Sequence, residues 1–286
     1  MLSYRHGFHA GSAADVLKHT VLVFCLEYLT KKEKALVCID THAGAGIYPI
    51  NESGEWEKGM GKLYGFRGPG MICPAPVLRY ADLAAADKNL YPGSPLLAAK
   101  LLRAQDRLVC FELHPKEFTL LESAIAELKQ SLPNCPKTEV RREDGPASLK
   151  RLLPPKSGRG LVLIDPSWEE NDEYTGIPNH ISAALKRFAR GTYIVWYPLL
   201  EKPRAPQRGN ETFGKTLLDL HSGGRCRAEL YSTVSNRGIH SPRGMYGSGL
   251  VIYNPPWTLR HAFEEIMPFL AGVLMTEGKW TLEWKE

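Results

Sequence analysis

Four acids in this 286-residue chain stand at or just past the ends of short apolar runs. Asp40 follows Ala35 to Ile39, Glu112 follows Arg107 to Phe111, Asp144 follows Thr138 to Glu143, and Asp165 follows Leu161 to Ile164. In an open sheet of parallel strands, ligands bind outside the carboxyl ends of the strands. One acid at such an end is usually a helix cap or a solvated turn; four in register point to a shared cleft. Asp165 is followed by Pro166, Ser167 and Trp168. A carboxylate and the carbonyl of the next residue can both accept N–H bonds from an amine. That arrangement orients a poor nitrogen nucleophile and favours the positive charge that develops on it.

The turn after Asp40 reads Thr41-His42-Ala43-Gly44-Ala45-Gly46, which lets backbone approach a ligand closely. A dinucleotide fingerprint needs a further glycine at 49, where Pro49 stands, and this disfavours a nicotinamide-dependent dehydrogenase. Glu112 is the candidate for ribose hydroxyls, and Asp144 with Gly145 for an adenine amino group. An adenosine-containing cofactor without a pyrophosphate fits this set, and S-adenosylmethionine is the obvious one. The run from Asp165 to Trp168 approximates the Asn/Asp-Pro-Pro-aromatic tetrapeptide of enzymes that methylate amino groups, with Trp168 offered as a face on which a flipped base stacks.

Asn254-Pro255-Pro256-Trp257 matches that tetrapeptide better letter for letter. It follows the last strand read from the sequence, expected to be antiparallel, so its end points away from the cofactor side. It is read as a turn with a packed tryptophan. Near the N-terminus Tyr4, His6, His9, Lys18 and His19 crowd a short stretch, and Lys18 and His19 lie on a mainly apolar helix. That density favours a site.

These residues need elements to hold them. Ser12 to Asp15 reads as a capping box, and the apolar positions from Val16 to Leu29 predict a helix ending near Thr30. Helices are expected over Ser94–Ala104, Pro115–Gln130, Ala147–Leu153 and Ile177–Ala189. Strands are expected at Ala35–Asp40, Arg107–Leu113, Thr138–Glu143, Leu161–Asp165 and Thr192–Tyr197. This alternation predicts an α/β fold with a parallel sheet covered on both faces. Arg227–Thr233 and Gly249–Tyr253 read as an antiparallel edge pair. Residues 47–92, dense in glycine and proline with short helical pieces such as Pro76 to Ala86, read as an insertion without a large core of its own.

Hydrophobic residues make up 43% of the chain and charged residues 23%, which excludes a disordered, collagenous or coiled-coil protein. The apolar run Val21 to Leu26 is far short of the ~20 residues that span a membrane, and Met1 to Gly11 lacks the apolar core of a secretory signal. None of the six cysteines has zinc-ligand spacing, so no metal and a reducing cytoplasm are expected. The net charge of +5 suits a polyanionic partner. Lys186, Arg187, Arg190, Lys202, Arg204 and Arg208, with Arg225, Arg227, Arg237 and Arg243, read as a phosphate-contacting flank. The acids Glu169, Glu170, Asp172 and Glu173 after the Asp165 turn would repel phosphate.

Taken in order, Leu2 to Gly11, Asp15-Val-Leu-Lys-His19, Asp40 to Gly46, Tyr91 to Pro95, Gly247 to Gly249 and Asn254 to Trp257 resemble the RlmJ-type 23S rRNA adenine-N6 methyltransferases over nearly the whole chain. The resemblance implies a class I, Rossmann-like methyltransferase domain over residues 1–286. Its sheet would be mostly parallel and seven-stranded with an antiparallel edge strand, and residues 47–92 would form a small inserted helical subdomain. The resemblance also implies S-adenosylmethionine contacts from His19, His42, Ser94, Glu112, Asp144, Gly145 and Asp165. Lys18, Asp40, Gly44 and Gly46 join this cofactor set. Asp165 is expected to be catalytic with Pro166 and Trp168, and Tyr4 and His6 to face the RNA. The implied reaction is methylation of one adenine N6 in 23S rRNA, by the resemblance adenine 2030. The RNA would be free or in an early assembly intermediate and the enzyme a cytoplasmic monomer. The family usually shows Asp-Pro-Pro-Tyr where this chain has Ser167 and Trp168. That departure keeps open a different amine, on DNA adenine or protein glutamine; a non-catalytic RNA-binding relative is the third reading.

Overall fold

The structure is a computed structural model and describes residues 6–50, 54–66, 72–85, 87, 89–201, 211–234 and 244–286. Tyr4, Lys202, Arg204, Arg208, Arg237 and Arg243 lie outside the described residues.

A short 3-10 turn at His6–Phe8 leads into α1, Ala13–Thr30. Ser12 caps α1 by accepting the Asp15 amide at 3.4 Å. The reciprocal half of the box reaches one residue further back, because Asp15 Oδ2 accepts the Gly11 amide at 2.9 Å. Apart from half-buried Phe24, every residue of α1 from Ala14 to Leu26 is buried. A helix apolar on all sides belongs in a core. Its polar members, Asp15, Lys18, His19 and Thr20, therefore need partners inside the protein.

Strand β1 is Val37–Asp40. Strands β2, Ile47–Pro49, and β3, Leu90–Pro92, form a separate antiparallel pair. Between them lie α2, Met60–Gly65, and α3, Ala75–Ala84. Met60, Val77 and Tyr80 from this stretch are buried in the same core as α1. The alternation then runs through α4 (Ser94–Leu101), β4 (Arg107–Phe111), α5 (Pro115–Ser131), β5 (Lys137–Arg141), α6 (Gly145–Leu152), β6 (Gly160–Ile164), α7 (Glu173–Arg187) and β7 (Thr192–Leu200). The chain closes with α8 (Glu211–Leu218), β8 (Arg225–Ser232), β9 (Met245–Tyr253), α9 (Leu259–Leu274) and β10 (Gly278–Lys285).

The main sheet has the order β10-β8-β9-β7-β6-β1-β4-β5. Strands β5, β4, β1, β6 and β7 are parallel, and β9, β8 and β10 are antiparallel to their neighbours. This is a Rossmann-like class I sheet, with eight strands where seven were expected. The extra strand is β10, and it takes the edge position on β8. Strand β9 sits between β7 and β8, so the antiparallel pair is real but not at the edge.

Strand residues alternate between two cores, as a pleat requires. Cys38, Leu108, Cys110, Leu161 and Leu163 face the core built with α1, α4 and α9. Ile39, Val109, Phe111, Val162 and Ile164 face the one built with α6, α7 and α8. Cys25, Cys38, Cys110 and Cys226 are buried free thiols, and burial pushes each one up.

The sheet register separates the two tetrapeptides. Tyr253 at the end of β9 pairs with Tyr193 at the start of β7, whereas Leu200 at the end of β7 pairs with Met245. Asn254 therefore lies on the rim opposite Asp165. Its side-chain amide donates to the carbonyls of Ala189 and Gly191, both at 2.7 Å, and its φ of 47° is left-handed. The turn is as expected, but Trp257 is 77% exposed and not packed. Asn254→Ala loses both hydrogen bonds and strains the backbone, and is expected to lower stability by about 1–3 kcal/mol. Urea unfolding checks this. An unchanged midpoint would show that the turn does not depend on Asn254.

Candidate functional site

At the carboxyl rim of β1, β4, β5 and β6 lies a cleft of about 520 Å³, bordered also by the start of α1 and the end of β7. The strand register brings its acids together. Asp40 pairs with Leu163 of β6 and Cys110 of β4, so Asp165 and Glu112 both emerge two residues beyond the level of Asp40.

The deepest feature is a buried charge bridge. The Lys18 ammonium lies 2.7 Å from Asp15 Oδ1 and bonds Oδ2 of Asp165. Burial would push Lys18 down, but the two carboxylates outweigh it and hold the ammonium well above the ordinary lysine range. Asp165 itself is half-open to the cleft, with its side chain 13% exposed. Sequence reading assigned Lys18 to the cofactor; the structure places its charge on Asp165. Asp15, read from the sequence only as a helix cap, is part of the same bridge.

His19 is buried beside this bridge, with Nδ1 2.7 Å from the Tyr91 hydroxyl, which lies 2.8 Å from that of Tyr80. His42 borders the cleft, and burial pushes its imidazole down to about 4. It is therefore neutral at physiological pH. Ser94 also borders the cleft and donates to Asp40 Oδ2 at 2.6 Å. Asp40 does not line the cleft, and neither does Gly46. Both stand behind its wall, Asp40 holding Ser94 and the His42 amide at 3.2 Å, and Gly46 receiving the Gly93 amide at 2.8 Å. Both were expected in the cofactor set; here they support the cleft wall from behind.

Glu112, expected to meet ribose hydroxyls, lines the cleft just past β4. Its Oε2 accepts from the Gly44 amide at 2.9 Å and its Oε1 from His114 at 2.7 Å. Burial raises its carboxyl against these donors. Asp144 caps α6 through the Ala147 amide at 2.8 Å, and Gly145 beside it lies against the next loop. A Cβ at Gly145 would come within 2.2 Å of the Thr41 carbonyl oxygen, so only glycine allows this wall. Gly44, at φ 60°, is likewise closed to side chains.

Trp168 departs from expectation. It borders the cleft but is 1% exposed, packed on Tyr174 and Phe213 at ring distances of 5.0 and 5.1 Å. Its indole N–H donates to the Trp196 carbonyl at 2.9 Å. The ring is a core anchor for the Asp165 turn and presents no open stacking face. The aromatic that borders the cleft half-buried is Trp196 on β7, with the Lys18 ammonium 6.0 Å from its ring centroid. For His6 only the backbone is described. The expected phosphate flank also loses a member. Arg227 is buried against Glu229 at 3.0 Å and Glu283 at 3.0 Å, under the Tyr197 hydroxyl.

Comparison with known proteins places these features in context. A family model described as ribosomal RNA large subunit methyltransferase D, RlmJ, matches residues 33–286. Ribosomal RNA large subunit methyltransferase J of Haemophilus influenzae is 39% identical over 299 residues, covering 99% of each chain. The protein of the same name from Escherichia coli strain K12 is 36% identical, covering 97% of this chain and 96% of its own. The crystal structure of protein LPL1258 from Legionella pneumophila is 34% identical, with a TM-score of 0.81 over 96% of this chain and 98% of that one.

The Asp40 environment has a pH signature. Burial pushes its carboxyl up to about 6, against the donors from Ser94 and His42. A carboxyl that binds protons more tightly folded than unfolded makes stability fall as pH rises between about 4 and 6. Asp40→Asn removes that contribution. The stability of the variant relative to the parent is therefore expected to climb from pH 4 to pH 6 and then level off, by on the order of 2 kcal/mol. Denaturant midpoints at successive pH values measure it, and parallel curves would show Asp40 is not perturbed.

Proposed function

The chain belongs to the family described as ribosomal RNA large subunit methyltransferase D, RlmJ, and from that premise we propose that it methylates 23S rRNA at the exocyclic N6 amine of an adenine, by the resemblance above adenine 2030. The methyl donor in this reading is S-adenosylmethionine. The observation that carries it is the Asp165 carboxylate, held at a parallel strand end by a buried lysine and facing a cleft that suits an adenosine.

The cleft fits that donor on its own chemistry. Glu112 has one backbone donor on each carboxylate oxygen, which leaves acceptor capacity for ribose hydroxyls. Gly44 and Gly145 remove side chains where backbone must come close. His42, Ser94 and Asp144 border the same space. The walls are rich in carboxylates, including Glu143, Glu169, Glu170 and Glu173, which suits a cationic ligand and disfavours a pyrophosphate. When bound, S-adenosylmethionine supplies an electrophilic methyl on a sulfonium.

What remains is the work of the chain itself. The lone pair of an adenine amine is delocalised into its ring, so the nitrogen is a weak nucleophile until it is oriented. Asp165 and the Pro166 carbonyl accept the two N–H bonds, turn the lone pair toward the methyl, and stabilise the positive charge that grows on nitrogen. Lys18 bonds only Oδ2 of Asp165, and Oδ1 accepts no hydrogen bond from a described residue. Among the described residues, no helix is long and apolar enough to cross a membrane. In this reading the enzyme acts as a monomer in the cytoplasm, on free rRNA or an early assembly intermediate, with Tyr4 and His6 facing the target nucleotide.

Asp165→Asn, which retains the shape but weakens the acceptor, is expected to lower methyl transfer to a 23S rRNA transcript by at least about 100-fold. Labelled donor and mass spectrometry of the digested RNA give rate and product. Retained activity would remove Asp165 from the reaction. Methylation of duplex DNA or protein in preference to the transcript would replace the substrate.

A further inference from the structure

Orienting the amine requires Asp165, but it gives no reason for a second carboxylate on Lys18. Asp15 is more deeply buried than either partner, with its side chain 1% exposed against 3% for Lys18 and 13% for Asp165. A buried carboxylate is costly unless it is paired and hydrogen-bonded. Asp15 satisfies both conditions through Lys18 at 2.7 Å and the Gly11 amide at 2.9 Å, and the His19 ring lies 3.9 Å away. Helix α1 would be capped by Ser12 without it.

The charge count suggests what Asp15 adds. A lone Lys18–Asp165 pair would be neutral, and an ammonium bound to one carboxylate draws electron density from it. That makes a weaker acceptor for an amine N–H. With Asp15 on the other side of the ammonium, the bridge carries one net negative charge, and Lys18 is shared. Asp15 also fixes where the ammonium sits, because its own position is pinned by the Gly11 amide at the start of α1. The aromatic wall adds to this, since the ammonium lies 6.0 Å from the Trp196 ring centroid, which limits movement toward β7.

We infer that Asp15 is a positioning residue for methyl transfer: it shares and anchors the Lys18 ammonium so that Asp165 retains the strength and direction of an amine acceptor. The inference rests on the amine-methylating reading above. Its ligand is the target amine, met through Asp165, and Asp15 acts on it through the shared Lys18 ammonium.

A double-mutant cycle separates this from a purely structural role. Asp15→Asn preserves shape and an oxygen for the Gly11 amide while removing the negative charge that faces the Lys18 ammonium. It is expected to lower kcat on 23S rRNA by about 10- to 100-fold, with KM for RNA and calorimetric affinity for S-adenosylmethionine within about 3-fold. In a Lys18→Met background the same change is expected to add less than about 2-fold, because its target is gone. Denaturation midpoints of the ligand-free proteins should show the same non-additivity. An unchanged kcat in Asp15→Asn, or an equal further loss in Lys18→Met, would overturn the inference. Should Asp15→Asn fail to fold, Asp15→Glu shifts the carboxylate by one methylene and must still lower kcat at constant KM; an unaltered kcat overturns the inference equally. A parent enzyme inactive on rRNA instead refutes the substrate reading, and the cycle is then read on whichever amine the parent methylates.

Discussion

An ammonium buried between two carboxylates is the constraint on which the rest of the site depends. Lys18 joins α1 to the end of β6 across 147 residues of sequence. Neither charge could stay inside the protein alone, since an unpaired buried ion carries a penalty of several kcal/mol. The pairing therefore fixes how α1 seats on the sheet. The apolar surface around α1, which packs on α3, α4 and α9, supplies the burial that makes the pairing strong. Packing and electrostatics each depend on the other here.

The second constraint is the direction of the sheet. Parallel strands deliver all their carboxyl ends to one rim, and β9, antiparallel to β7, delivers its end to the other. This explains why the less perfect tetrapeptide at Asp165 borders the cleft while the better-spelled one at Asn254 fastens a turn behind β7. A motif acquires chemistry from the rim on which it stands. Asn254 spends both N–H bonds of its side-chain amide on two backbone carbonyls, so no side-chain donor remains for a ligand.

Much of this was legible in the sequence because local patterns carried it. The apolar runs ending in acids located β1, β4 and β6 within a few residues, and the parallel pairing followed from alternation. What escaped had weak local signals. Strand β10 is an edge strand of mixed Lys, Trp, Thr and Glu, half-buried to exposed, so its character comes from pairing with β8. Helix α9 carries Pro268 in its interior, which reads as a break. Within the site, the sequence could name acids but not their depth. Asp40 and Glu112 look alike as strand-ending acids, yet one backs the wall and the other faces the cleft. Asp15 looked like a cap because it stands in the first turn of α1; only the fold shows that the Lys18 it pairs with, three residues on, also reaches Asp165. Trp168 looked like a stacking platform, but only the packing of α7 and α8 around it shows that its faces are already covered.

Ser167 shows how the active turn survives without a second proline ring. A proline there would fix the backbone by covalent geometry. In this chain the Ser167 hydroxyl faces both oxygens of Glu173, at 3.3 and 3.4 Å, and accepts the Glu169 amide at 3.4 Å. Glu173 also accepts the Glu170 amide at 3.1 Å, and the left-handed Trp168, at φ 52°, is tied to β7 through its indole. Several long hydrogen bonds thus take the place of one rigid ring. The substitution changes the kind of rigidity. A ring holds at any pH, whereas this turn depends on the acceptor strength of Glu173, whose carboxyl burial raises against its donors. The same carboxylate that braces the turn also lines the cleft, so the group that replaces the ring's rigidity adds to the negative charge of the cleft wall.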